Sequence, residues 1–166
     1  SGLLLMAVDE GVSAVVRELF ARHRVEKTYF AVVKGNPPPL PDVWVDRLKR
    51  RPAAKGRSAG PLRVQAGGEL LAKTKQKCIR TDRNGMNLSL MQLTPFTGRT
   101  HQLRVQCSMR GSPILGDRTY GDFKLNRQIA KIVGEKRLYL HSGRIKLDFS
   151  YLGQYFKIEC ESPVPD

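Results

Sequence analysis

Acidic side chains are scarce in this chain. Fifteen Asp and Glu stand against 29 Lys and Arg over 166 residues, a formal charge of +14. A deficit of that size argues against a basic partner and favours a polyanion, steered in by the long-range field and held by counterion release. A basic but unspecialised surface would give the same sum, so charge alone favours nucleic acid without deciding it. Cysteine is scarce too. Cys78, Cys107 and Cys160 are far apart and form no C-x-x-C pair, which excludes a disulfide framework or a structural zinc site and fits a reducing, cytoplasmic setting. The longest apolar run, residues 3–8, is far too short to span a membrane, and it lacks the charged flank of a signal peptide. No phosphate-binding loop, dinucleotide fingerprint, H-E-x-x-H or EF-hand spacing is present. His23, His101 and His141 are scattered, so no metal is expected. The length suits one domain, 1–166, expected to be a monomer. The chain opens at Ser1 inside a strand-like run, and the expectation is that further sequence precedes it.

What is present reads mostly as strands. Residues 3–8 are expected to be a buried strand, broken by Asp9 and Gly11. Ser13 is placed as the cap of a helix to about His23, with Val15, Val16, Leu19 and Phe20 as its apolar face. Residues 27–34 alternate and are rich in Tyr, Phe and Val, which predicts a strand ending at Gly35. Four prolines make 36–41 an extended loop. Residues 42–68 resist assignment. The basic run from Arg47 to Arg63 reads either as a solvated flexible segment or as a contact for an RNA backbone. Residues 69–80 and 86–94 are expected to pair through Asp82-Arg83-Asn84-Gly85, whose Asn-Gly favours a hairpin. A helix is predicted over 100–110 with Gly111 as its stop, a short strand and turn at 113–117, and a helix over 124–133 ended by Gly134. A last hairpin joins 138–149 to 155–161 across 151–153. The predicted class is α+β: a mixed, mainly antiparallel sheet with a few packed helices.

One corner carries most of the chemistry. In Phe96-Thr97-Gly98-Arg99-Thr100-His101-Gln102-Leu103-Arg104 a strand hands over to a helix. Thr100 is placed as the cap, and the amides of the first turn favour an anion. Arg99 offers a planar fork suited to a carboxylate or a phosphate, aimed by the turn that Gly98 permits. His101 and Arg104, three apart, share a helix face and with Arg99 and Gln102 form a polar rim over a pocket. Cys107 lies six residues after His101, on a different face, so a Cys-His nucleophile pair is not expected. On the strand over 27–34, Lys27, Tyr29 and Ala31 share one face. Tyr29 is either a core tyrosine with a satisfied hydroxyl or a ring that stacks on a nucleobase.

Taken in order, Lys27-Thr28-Tyr29-Phe30-Ala31-Val32-Val33-Lys34-Gly35, then residues 93–104, then Gly111-Ser112-Pro113-Ile114-Leu115-Gly116-Asp117, Tyr120-Gly121 and Arg137-Leu138-Tyr139-Leu140-His141 form a specific set. The chain resembles the RluA-type family of pseudouridine synthases across nearly its whole length. Ser1-Gly2-Leu3-Leu4-Leu5 is similar to the tail of that family's H-R-L-D-x-x-T-S-G-L-L signature. The resemblance implies a pseudouridine synthase fold shortened at its N-terminus, an RNA substrate (tRNA or rRNA), and isomerisation of uridine without a cofactor. It implies that Tyr29 stacks on the base and assists proton removal from C5. It also implies that Arg99 pairs with a catalytic aspartate, and that Leu138 or Leu140 walls the base. Thr100, His101, Gln102 and Arg104 are carried with them as substrate-binding positions, and Asp117 as a structural one. The aspartate of the signature falls four residues ahead of Ser1. No Asp here inherits its role, and the chain alone is expected to bind RNA weakly and catalyse nothing. A catalytically silent RNA-binding relative and a basic ribosome-associated protein are the competing readings.

Overall fold

The computed structural model describes residues 1–51, 63–82 and 85–165. Seven strands form one sheet: β1 (Glu26–Lys34), β2 (Asp42–Arg51), β3 (Arg63–Ala66), β4 (Leu70–Thr81), β5 (Leu88–Pro95), β6 (Leu140–Tyr151) and β7 (Gln154–Glu161). Their order is β3-β2-β4-β5-β1-β6-β7, and every neighbouring pair is antiparallel. Three helices complete it: α1 (Glu10–Ala21), α2 (Gln102–Met109) and α3 (Phe123–Val133). The mainly antiparallel α+β reading therefore holds.

Side-chain alternation divides the sheet into two faces. On the inner face β1 contributes Ala31 and Val33, β5 Met91 and Leu93, and β2 Trp44 and Leu48, and α2 covers them with Leu103, Val105 and Cys107. Farther along the same face, Ile145, Leu147 and Phe149 of β6 receive Val12, Val15, Val16 and Leu19 of α1. A bulge at Gly143 keeps both ends of β6 in phase, with Tyr29 opposite Ser142 but Thr28 opposite Arg144. The two helices thus stand at opposite ends of one face, and the β1–β6 junction lies between them.

Several expectations need correction. Residues 3–8 form no strand. Gly2 makes one isolated parallel bridge to Ser142, while Leu4, Met6 and Val8 are exposed, because an apolar run gains nothing from strand geometry without a second strand beside it. Asp9, read as a breaker, caps α1 by accepting from Val12 N at 2.9 Å. The unassigned stretch 42–68 holds β2 and β3. Its alternation was hidden because Asp46 points inward between Trp44 and Leu48. There it accepts from Gln106 Nε2 at 2.7 Å and pairs with Arg110 at 3.0 Å, and Arg110 also lies over the Trp44 ring. The remaining part of the basic run, 52–62, lies outside the described residues, as do residues 83 and 84 of the Asn-Gly turn; the hairpin they were expected to close is present. The β6–β7 turn has both central residues at positive φ, Leu152 at 48° and Gly153 at 76°, as the twist of a two-residue hairpin requires.

Candidate active site

Phe96 to Arg99 carry the chain from β5 toward α2, and the turn locks onto itself. Gln102 N donates to Arg99 O at 3.0 Å, and Gln102 Oε1 accepts from Arg99 N at 3.0 Å and from Thr97 Oγ1 at 2.7 Å. Gln102 Nε2 donates to Lys73 O and Thr74 Oγ1 of β4. Thr74 Oγ1 in turn donates to Gln106 Oε1 at 2.6 Å. This buried chain of bonds fixes α2 to the sheet. It also corrects the expected rim: Gln102 is 4% exposed with its amide fully used, so it positions Arg99 instead of lining a pocket. Thr100 does not cap α2. The capping position is His101, at φ 55°, and its side chain makes no capping bond.

Arg99 is half-buried. Its Nε donates to Leu71 O at 3.1 Å, and its other guanidinium nitrogens have no partner among the described residues. It borders a hollow walled by Leu48, Val64, Leu70, Gly98 and Thr100. Tyr29 is not among those walls, although both residues belong to the helix-bearing face.

His101 and Arg104 meet, but around Asp117. Arg104 grips that carboxylate with Nε at 2.7 Å and Nη2 at 2.8 Å, and the amides of Thr119 and Tyr120 donate to it at 2.8 and 3.0 Å. Burial opposes the charge on Asp117, yet the Arg104 and backbone bonds outweigh it and hold the carboxyl below its ordinary value. Arg104 therefore faces inward. Its guanidinium also lies over the Tyr120 ring at 5.1 Å. The Tyr120 hydroxyl accepts from Val64 N at 2.7 Å and sits 3.0 Å from His101 Nδ1. Burial and the neighbouring Arg104 lower the proton affinity of His101, which favours its neutral form, and Asp117 partly offsets this.

The structure brings Tyr29, Leu138 and Leu140 together. All three are half-buried and pack against one cluster that includes Leu93 and Leu103. Burial pushes the Tyr29 hydroxyl above its ordinary value, and Ser142 beside it partly offsets that. The start of the chain reaches the same place. Ser1 N donates to Leu140 O, Ser1 Oγ lies 3.1 Å from His141 Nδ1, and Leu3 N donates to Ser142 O at 3.0 Å. Lys27, two positions from Tyr29 on the same face, was not singled out as a site residue; a buried cation is invisible until its neighbours are known.

A sequence model described as RNA pseudouridylate synthase matches residues 1–109. The chain belongs to that family. Among its curated relatives, a ribosomal large subunit pseudouridine synthase C from Rickettsia conorii is 36% identical over 163 residues, covering 98% of this chain and 50% of the relative. A tRNA pseudouridine synthase C from Yersinia pestis is 32% identical, covering 93% and 62%. The chain thus spans between half and about two-thirds of the length of these relatives. Among solved structures, human RNA pseudouridylate synthase domain containing 1 superposes with a TM-score of 0.70 at 22% identity, over 95% of this chain and 62% of that one. Human RNA pseudouridylate synthase domain containing 4 gives 0.66 at 25% identity, over 93% and 64%. The first match speaks to the fold alone.

Proposed function

We propose that this chain supplies the base-holding and arginine-bearing part of an enzyme that isomerises uridine to pseudouridine in transfer or ribosomal RNA. The observation that carries this reading is Arg99. Its backbone is pinned by Gln102 and its Nε by Leu71 O, yet the rest of its fork is unpaired among the described residues on a face shared with Tyr29. Such a fork is pre-set for a carboxylate. A residue four positions ahead of Ser1 would lie within about 14 Å of Ser1, whose N donates to the carbonyl of Leu140, the strand partner of Ala31.

In this reading the uridine leaves the RNA stack and its ring lies on Tyr29, walled by Leu138 and Leu140. The carboxylate attacks the nucleotide and the C1′–N1 bond breaks. The freed base turns in place and C1′–C5 forms as the bond between the carboxylate and the nucleotide breaks; C5 gives up its proton and N1 gains one, so the sum is an isomerisation. Arg99 keeps the carboxylate ionised and aimed. His101, held by Tyr120, contributes a polar ring.

Replacing Arg99 with Ala in the full-length protein tests this. Pseudouridine formation is expected to vanish while RNA affinity changes less than about threefold, because Arg99 is one of many cations. Equal loss of both would make Arg99 a phosphate contact. RNA binding by a wild-type protein that forms no pseudouridine in either RNA class would favour a silent RNA-binding relative.

A further inference from the structure

Lys27 is a cation that the fold buries without an answer. It is 7% exposed, and among the described residues it makes no ion pair and no hydrogen bond. Its charge contact among the described residues is the Phe20 ring of α1, 5.3 Å from Nζ to the centroid. The nearby carboxylate of Glu26 is next in sequence and so on the opposite face, where it reaches Lys146. An ammonium withdrawn from water without a counter-ion is strongly disfavoured, and a ring face offsets only a fraction of that. Burial accordingly lowers the proton affinity of Lys27. A hydrophobic side chain would pack against Phe20 and Ile145 without this penalty, so among the described residues the charge has no full counterpart.

The position indicates what the charge is for. Lys27 and Tyr29 are successive residues on one strand face, about 7 Å apart. They stand between α1 and α2, where the chain start also lies. Resting on the reading that a uridine base lies on Tyr29, we propose that the Lys27 ammonium binds a backbone phosphate of that nucleotide or its immediate neighbour. A carboxylate partner is less suited, because the planar fork for that group belongs to Arg99 while a lysine acts as a mobile point charge. The incoming phosphate supplies the missing counter-ion in a place where water screens little, so one contact weighs more than a lysine on the open surface. RNA without an extruded nucleotide would leave Lys27 unanswered, and the contact would therefore favour the flipped state.

Lys27→Met in the full-length protein separates this from a structural role. The probe is a fluorescein-labelled oligouridylate followed by anisotropy between about 50 and 250 mM KCl. The variant is expected to melt at the same temperature or higher. It should bind about tenfold more weakly, with a log K against log salt slope shallower by about 0.7, the single-strand value for one phosphate. Lys27→Gln, neutral but polar, should give the same slope change if the methionine repacks its surroundings. A lower melting temperature with an unchanged slope would overturn the proposal, because Lys27 would then be a packing residue. Unchanged affinity and slope with lost turnover would overturn it as well and would place the charge on a carboxylate. The binding measurement needs no turnover. Thus a wild-type protein with a Lys27-dependent slope that forms no pseudouridine refutes only the catalytic reading.

Discussion

Breaking the Arg104–Asp117 pair is the perturbation whose size follows most directly from the structure. The Asp117 side chain is 0% exposed and accepts from four N–H groups: two from Arg104 and one each from Thr119 and Tyr120. Asp117→Asn keeps the shape, removes the charge and turns an amide N–H toward donors already present. Arg104 is 19% exposed, so part of its stranded charge can find water. Loss of one partner of a buried pair costs about 3 to 5 kcal/mol, and the lower figure suits this half-open arginine. At about 2 to 4 °C per kcal/mol for a chain of this size, the melting temperature should fall by about 6 to 12 °C. A thermodynamic cycle with Arg104→Ala, Asp117→Ala and the double variant, read by urea denaturation, should show a coupling of about 2 kcal/mol. The Asp117 carboxyl titrates lower in the folded chain than in the unfolded one. Its contribution is therefore complete above the ordinary aspartate value of about 3.9 and is lost as pH falls through the folded value. The gap between wild type and Asp117→Asn should thus be constant near neutrality and close in strong acid. Additivity within about 0.5 kcal/mol, or a gap that widens in acid, would show that the pair is not coupled as its geometry states.

Two further outcomes test the packing around the site. Gly116→Ala would place its Cβ 1.7 Å from Arg137 O at a φ of 76°, so both contact and backbone forbid it. Loss of soluble protein, or a destabilisation above about 3 kcal/mol by urea melting, is expected; a wild-type melt would mean that residues 116 and 137 are not in contact. The three thiols should separate in a native disulfide-exchange titration. Exposed Cys160 should react at once, while Cys107, fully buried and pushed up to about 12 by burial, should react only on unfolding. Early reaction at Cys107 would show that α2 opens from the sheet.

The parts of the fold that were legible share one property: their sequence pattern reports burial without help from distant partners. Alternation over 27–34 and the paired hairpins did so, and β1, β4 to β7 and the two later helices formed within a residue or two of expectation. Residues 3–8 read as a buried strand on apolar content alone. Apolar content signals burial only when something covers it, and Leu4 and Met6 are uncovered here. β2 failed for the opposite reason. Asp46 breaks the alternation, and its inward place is decided by Arg110 and Gln106, about sixty positions away. In the motif corner, spacing put His101 and Arg104 on one helix face; they do meet, around Tyr120, but His101, at φ 55°, stands ahead of the helix. Spacing could not say that Asp117 would claim Arg104, or that Gln102 would fold back onto Arg99.

That division bears on how the corner works. Of its polar residues, Gln102 and Arg104 spend their hydrogen bonds inside the protein, and His101 is engaged by Tyr120. Arg99 is the member whose fork stays open, and the others hold it so. Gln102 fixes its backbone, and Arg104 with Asp117 and Tyr120 holds the 117–120 turn against the start of α2. On the strand side Lys27 shows the same imbalance, a buried cation with no anion among the described residues. Among the described residues neither charge is answered; in the proposed enzyme a carboxylate of the same protein answers Arg99 and an RNA phosphate answers Lys27. The two cations differ in form as the two anions of the proposed reaction differ: a planar fork for a carboxylate and a point charge for a phosphate. If both assignments hold, an Arg99 variant loses turnover without salt sensitivity and a Lys27 variant loses salt sensitivity. The double variant should then show the sum, because separate anions answer the two charges.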